Sequence, residues 1–209
     1  MARDRVKMRR YYEFCTIGHD LDESQIAALD QYAKRKGVGS DSYTTATSFT
    51  GDYTRDTDPM YDDAALMRRY GFDAHLFFRT SGERKLVLKV SGLGLAEVKP
   101  YLCGRYDGTT AKRTQDGVLV SMKYYEEDGE LAHCKDNPEK WLDLILPVRD
   151  MLVAGDLSPL YVAWKAWQSV SDDGEVRNRP SPPVPAQMPD RLPPPLSALR
   201  RFLRGQSVK

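Results

Sequence analysis

Hydrophobic and polar positions change rhythm several times along the chain, and each change predicts an element. Tyr11-Tyr12-Glu13-Phe14-Cys15-Thr16-Ile17 is aromatic and β-branched, which predicts a strand that Gly18 ends. Asp22 followed by Gln25 has the spacing of a capping box. Ile26, Leu29 and Ala33 then keep a helical period, and Gly37 follows Lys34-Arg35-Lys36 where a C-cap belongs, so a helix is expected between them. Thr44-Thr45-Ala46-Thr47-Ser48-Phe49-Thr50 predicts a second strand, and an acidic loop leads from it to a short helix around Asp62 to Tyr70. Phe72, Ala74, Leu76 and Phe78 alternate on one face of a strand, and Leu86, Leu88 and Val90 alternate after the Ser81-Gly82 turn, which makes a hairpin. His75 and Phe77 fall on its opposite face. Val118, Val120, Met122 and Tyr124 mark a further strand, ended by Asp128-Gly129.

Two helices follow. Leu142, Ile145, Val148 and Leu152 share one face of the first, and Leu160, Trp164 and Trp167 share one face of the second, with Ser158 as N-cap and Pro159 at N1. Strands interleaved with helices, then a hairpin, then a helical finish predict an α+β single domain whose mostly antiparallel sheet is covered by helices. The expected division is a basic arm over 1–10, a globular body over 11–170, an acidic and then proline-rich linker over 171–195, and a short basic amphipathic helix and tail over 196–209. Eight prolines fall between Pro180 and Pro195, so that stretch is expected to be extended polyproline II, a proline-rich C-terminal strap.

Composition sharpens this picture in three ways. With 209 residues, 41% of them hydrophobic, the chain has material for one sizeable core. Nothing approaches the roughly 18 uninterrupted apolar residues of a membrane span, and the basic start lacks a signal peptide's apolar region, so a cytoplasmic location is expected. Cys15, Cys103 and Cys134 form no CxxC pair and point to reduced thiols. The formal charge of +1 hides an asymmetry: residues 1–10 carry five basic groups against Asp4, and residues 196–209 carry four basic groups and no acid, which leaves a net −7 on the body between. Basic ends either seek an acidic partner or lie back on the acidic body.

Candidate chemistry is sparse. Gly92-Leu93-Gly94-Leu95-Ala96-Glu97 lacks the third glycine of a dinucleotide fingerprint, and Glu97 would compete with a pyrophosphate, so no cofactor is expected. Gly71 to Phe78 has some likeness to the aromatic strand of an RNA-recognition sheet, but Ala74 falls at a stacking position and Asp73 beside the phosphate path. His19, His75 and His133 lack zinc spacing. Asp52, Asp56, Asp58, Asp62 and Asp63 form the densest carboxylate group, a candidate for a hard divalent cation or a solvated acidic loop. Glu13 and His19 are near enough in sequence to meet at a strand end. No nucleophile elbow occurs, and no catalytic residue is assigned.

The binding candidates are better formed. Leu196, Leu199, Phe202 and Leu203 fall on one side of the terminal helix, with Arg200, Arg201 and Arg204 on the remainder, a segment able to fill a partner's groove or to staple its own core. In the N-terminal arm Arg3, Arg5, Lys7, Arg9 and Arg10 offer a nucleic-acid footprint.

Tyr11-Tyr12-Glu13-Phe14, Ser48-Phe49-Thr50-Gly51-Asp52-Tyr53, Phe72-Asp73-Ala74-His75-Leu76 and Gly155-Asp156-Leu157-Ser158-Pro159-Leu160-Tyr161 together resemble an uncharacterised bacterial protein family with no activity attached to it. The resemblance covers most of the body. Its members begin with the same strand and finish with a proline-rich segment and short helix, which implies a tail that is a standing part of the fold. The chain departs from the family after Tyr53, where Thr54-Arg55-Asp56-Thr57-Asp58 replaces a Trp-Gly. The resulting expectation is a non-catalytic interaction or accessory protein in a multi-protein assembly. Its expected partner is another protein rather than a membrane. The alternatives are nucleic-acid association through the basic arms and a metal-dependent enzyme using the 52–63 loop.

Overall fold

Alternation of apolar side chains builds one antiparallel sheet with a core on each face. A computed structural model describes residues 10–35, 42–53, 63–79, 82–103, 107–125, 140–170 and 180–206. Its strands are β1 (Arg10–Cys15), β2 (Ser42–Thr44), β3 (Ser48–Tyr53), β4 (Ala74–Arg79), β5 (Arg84–Ser91), β6 (Gly108–Arg113) and β7 (Gly117–Tyr124). They lie in the order β2-β3-β1-β4-β5-β7-β6, every neighbouring pair antiparallel. The helices are α1 (Glu23–Arg35), α2 (Asp63–Tyr70), α3 (Leu95–Val98), α4 (Lys140–Ile145), α5 (Pro147–Val153), α6 (Ser158–Val170) and α7 (Pro194–Leu203). The fold is the α+β single domain that the sequence pattern predicts.

The two faces are filled differently. Ala74, Leu76, Phe78, Leu86, Leu88, Val90, Val118, Val120, Met122 and Tyr124 point into the larger core, which α4 to α7 close with Trp141, Leu142, Ile145, Val148, Leu152, Leu160 and Trp164. On the opposite face Tyr12, Phe14 and Phe49 meet Leu29 and Ala33 of α1 and Leu66, Met67 and Tyr70 of α2. The capping box is present as expected: the Gln25 amide donates to Asp22 Oδ1 at 2.8 Å, and the Asp22 amide donates to Gln25 Oε1 at 2.9 Å. Hydrogen bonds from Ser24 Oγ, and then from the Gln25 amide, hold the Asp22 carboxyl below its usual range.

Helix α7 belongs to the larger core. Pro193 caps it, Pro194 opens its first turn, and Leu196, Leu199, Phe202 and Leu203 are all at 0% exposure. Phe202 packs on Trp141 with ring centroids 5.5 Å apart. Each such side chain contributes about 1.5–3 kcal/mol by burial. The chain leading in is tied down as well: Pro182 and Pro185 are buried, and Tyr101 Oη donates to the Pro183 carbonyl at 3.1 Å.

Several local expectations are corrected. The Thr44–Thr50 run is not one strand but the hairpin β2–β3. Thr45 Oγ1 accepts the Ser48 amide at 2.9 Å, so a residue read as strand former serves as turn former. Phe72 does not share a face with Phe78. The chain bends at Asp73 before β4 begins, which sends Phe72 into the second core against Phe14. The helix expected through Leu142 and Leu152 is two, because Pro147 has no amide to donate; it opens α5 with its four apolar positions still buried. Asp156, not Ser158, caps α6, its Oδ1 accepting the Ser158 amide at 2.8 Å. Strand β6, Gly108-Thr109-Thr110-Ala111-Lys112-Arg113, was not anticipated because only Ala111 in it is apolar.

Candidate anion-binding face

The second face is covered only in part. Helices α1 and α2 lie toward β2, β3, β1 and β4, while the helices that chiefly contact β5, β6 and β7 belong to the other layer. Val87 of β5 is 2% exposed and belongs to the same core, with Phe77 and Leu119 packed against it, so the cover reaches β5; from there to β6, strand register sets side chains in cross-strand rows. Phe77, Lys85 and Lys123 form one row; Val87, Ser121 and Thr110 form the next; Lys89, Leu119 and Lys112 form the third. Same-face residues recur every second position, so the two lysine rows stand about 13 Å apart. Lys85 and Lys123 are directly opposite across β5 and β7. The Glu83 carboxylate lies 3.2 Å from Lys123 Nζ and 3.7 Å from Arg79.

At the Lys89–Leu119–Lys112 end, a cleft of about 380 Å³ opens between α2 and the β6–β7 hairpin. Its apolar floor presents the half-buried Leu119, the Met67 and Phe72 that also line it being 3% and 0% exposed, and its rim carries Arg68, Lys89, Lys112 and Arg113. None of these four cations forms an ion pair among the described residues. Gln115 and Asp116, at the hairpin tip, line the same cleft, so its rim carries one carboxylate beside the four cations. The tip is held by the Thr114 amide donating to the Gly117 carbonyl at 2.9 Å. Glycine is required at 117, since a Cβ there would run into the Val90 carbonyl oxygen. Chemically, the arrangement attracts anions and gives an apolar surface beside them.

A second polar cluster sits where α5 meets the sheet. Asp73 accepts the Ile17 amide at 2.9 Å, stands 3.7 Å from His19 Nδ1, and stands 3.5 Å from an Arg149 guanidinium nitrogen. Arg149 Nε also donates to the Lys89 carbonyl at 2.9 Å. These contacts tie α5 to β5 and to the loop after β1, and they account for burying Asp73. Cys15 is nearby, but burial first, and then the carboxylates of Glu13 and Asp73, push its thiol from 9.0 up to about 12. It is therefore a thiol at neutral pH and a poor nucleophile.

Most of the residues singled out from sequence are accounted for. Glu13 does not meet His19: it accepts the Tyr11 hydroxyl at 2.7 Å, and His19 turns to Asp73 instead. His75 is buried, stacked on Phe14 at 3.9 Å, with Nδ1 3.1 Å from the Glu13 carbonyl. The apolar positions of α7 are spent on the protein's own core; Arg200 and Arg204 are exposed and Arg201 is half-buried. Arg10 is not part of a free arm, because it is the first residue of β1, paired with Tyr53 and Arg79 and 3% exposed. Arg3, Arg5, Lys7 and Arg9 lie outside the described residues, as do Asp56, Asp58 and Asp62. Asp52 and Asp63 lie in β3 and α2, their side chains outside the description. Among the described residues no group of three His, Cys, Asp or Glu side chains could hold a metal ion, and no helix is long and apolar enough to cross a membrane. At the Gly92-x-Gly94 turn, Glu97 Oε2 accepts the Gly94 amide at 2.8 Å, so the chain's own carboxylate occupies the start of α3.

The lysine face was missed from sequence. Lys85, Lys89 and Lys123 are the polar half of alternating strands, which reads as ordinary solvent-facing polarity. Lys112 lies in the strand that was not anticipated, and only register brings the four together. No protein-family model matches the chain, and no curated protein or solved structure is significantly similar to it.

Proposed function

We propose that this is a non-catalytic interaction protein that holds an anionic partner on the open half of its sheet, as an accessory to an assembly. The observation that carries this is the register-set pair of lysine rows, one of which borders a cleft rimmed by four cations without ion pairs among the described residues. Lys123 is paired with Glu83, but Arg68, Lys89, Lys112 and Arg113 form no ion pair among the described residues, so their concentration at the cleft is better explained by what they attract. The terminal helix is the weaker working surface, since its apolar side faces inward.

The test is retention of the full chain on immobilised heparin, a generic polyanion. Replacing Lys89, Lys112 and Lys123 by Gln should move elution to markedly lower salt. Replacing Arg200, Arg204 and Lys209, an equal charge, should move it little. Equal shifts for the two variants, or no retention of the wild type at low salt, contradict the proposal.

A further inference from the structure

We infer that the cleft between α2 and the β6–β7 hairpin takes one nucleotide of a single-stranded nucleic acid, with the flanking phosphates on the lysine rows. This rests on the anion-binding proposal above and names the class of anion. An acidic peptide would satisfy the rim but has no use for the floor: carboxylate side chains carry no flat apolar body to set on Leu119, the floor residue that is only half-buried. A nucleotide has both parts, a base with an apolar face and a phosphate, and every base offers such a face.

The dimensions and polarity agree. A cleft of about 380 Å³ falls within the range of small-ligand sites, and its cations come from three elements, Arg68 from α2, Lys89 from β5, and Lys112 and Arg113 from β6. Gln115 and Asp116 stand at the tip, where a base edge presents donors and acceptors. Beyond the cleft the strand has a path: the half-buried Ser121 and the exposed Thr110 lie between the two lysine rows, and Phe77 flanks the far one. A duplex would not fit this account, because its bases are not available to the floor.

The experiment is fluorescence anisotropy of a short labelled single-stranded oligonucleotide of mixed sequence with the full chain, across a salt series. Wild type should bind, with affinity falling steeply as salt rises. Lys112→Ala with Arg113→Ala, both exposed, should weaken binding about tenfold and reduce the slope of log affinity against log salt by about 1.4, the loss of two phosphate contacts. Leu119→Thr should weaken binding about fivefold with the slope unchanged, because it removes floor and no charge. Unchanged affinity in the Lys112/Arg113 variant overturns the inference. Polyglutamate that displaces the oligonucleotide at equal charge, with Leu119→Thr without effect, also overturns it while leaving the anion-binding proposal standing. Binding of neither polymer at low salt ends both.

Discussion

Along β7, Val118, Val120, Met122 and Tyr124 point into the helix-covered layer and are at 0% exposure, while Leu119, Ser121 and Lys123 between them stay half-buried on the other side. In β5 the contrast is partial: Leu86, Leu88 and Val90 are buried on the closed side, and on the other side Val87 is 2% exposed between the half-buried Lys85 and Lys89. On the closed side each side chain is fixed by volume, and the strands, α4 to α7 and the C-terminal segment form one interdependent body. On the open side Lys112 is exposed, Lys85, Lys89 and Lys123 are half-buried, and Lys123 pairs with Glu83. What is gained there is a field that reaches beyond the molecule. The two faces should therefore respond oppositely to substitution, one in stability and the other in binding.

The strongest way to break this comparison is at α7. Phe202→Ala should cost about 3–5 kcal/mol of unfolding free energy, measured by denaturant titration. A cost below about 1 kcal/mol would mean that the tail is an appendage and not part of the closed layer. Next comes the tie between α5 and the sheet, where Arg149→Ala removes the bond to the Lys89 carbonyl and leaves Asp73 with less compensation. A loss of about 2–3 kcal/mol is expected.

A pH test sharpens the closed side further. The Cys15 thiol titrates near 9.0 in the unfolded chain but holds its proton up to about 12 in the fold. Rising pH therefore stabilises the unfolded state first, and stability falls by up to about 1.4 kcal/mol per pH unit through that window. Cys15→Ala should lose this part of the slope, which chemical unfolding at a series of pH values will read. Tyr124, also raised by burial, adds its own loss above its usual value of 10.0 in both proteins. The smallest effect belongs to the open side: Lys112→Ala and Lys123→Ala should each change stability by less than about 0.5 kcal/mol. A larger loss would assign those lysines to the fold.

How much of this was legible in sequence follows the same division. Apolar periodicity locates β1, β4, β5, β7, α1, α6 and the buried side of α7, because core burial imposes a period that single residues reveal. The Asp22–Gln25 cap is equally local, two residues sufficing to specify it. Non-local geometry is what stays hidden. Thr45 turns the chain only because its hydroxyl finds Ser48, Phe72 changes sides only because the chain bends at Asp73, and β6 pairs with β7 despite having almost no apolar residue. The lysine rows depend on the register of β5, β7 and β6 together, and the β5–β7 pairs join distant positions such as Lys85 and Lys123, a relation no short window of sequence contains.

The most direct test of the open face is amide chemical-shift mapping of the full chain during titration with the single-stranded oligonucleotide. The account predicts shifts concentrated at residues 85–89, 110–123 and the end of α2 near Arg68, with α7 unmoved. Shifts confined to Arg200–Arg204, or spread without preference over both faces, would contradict it.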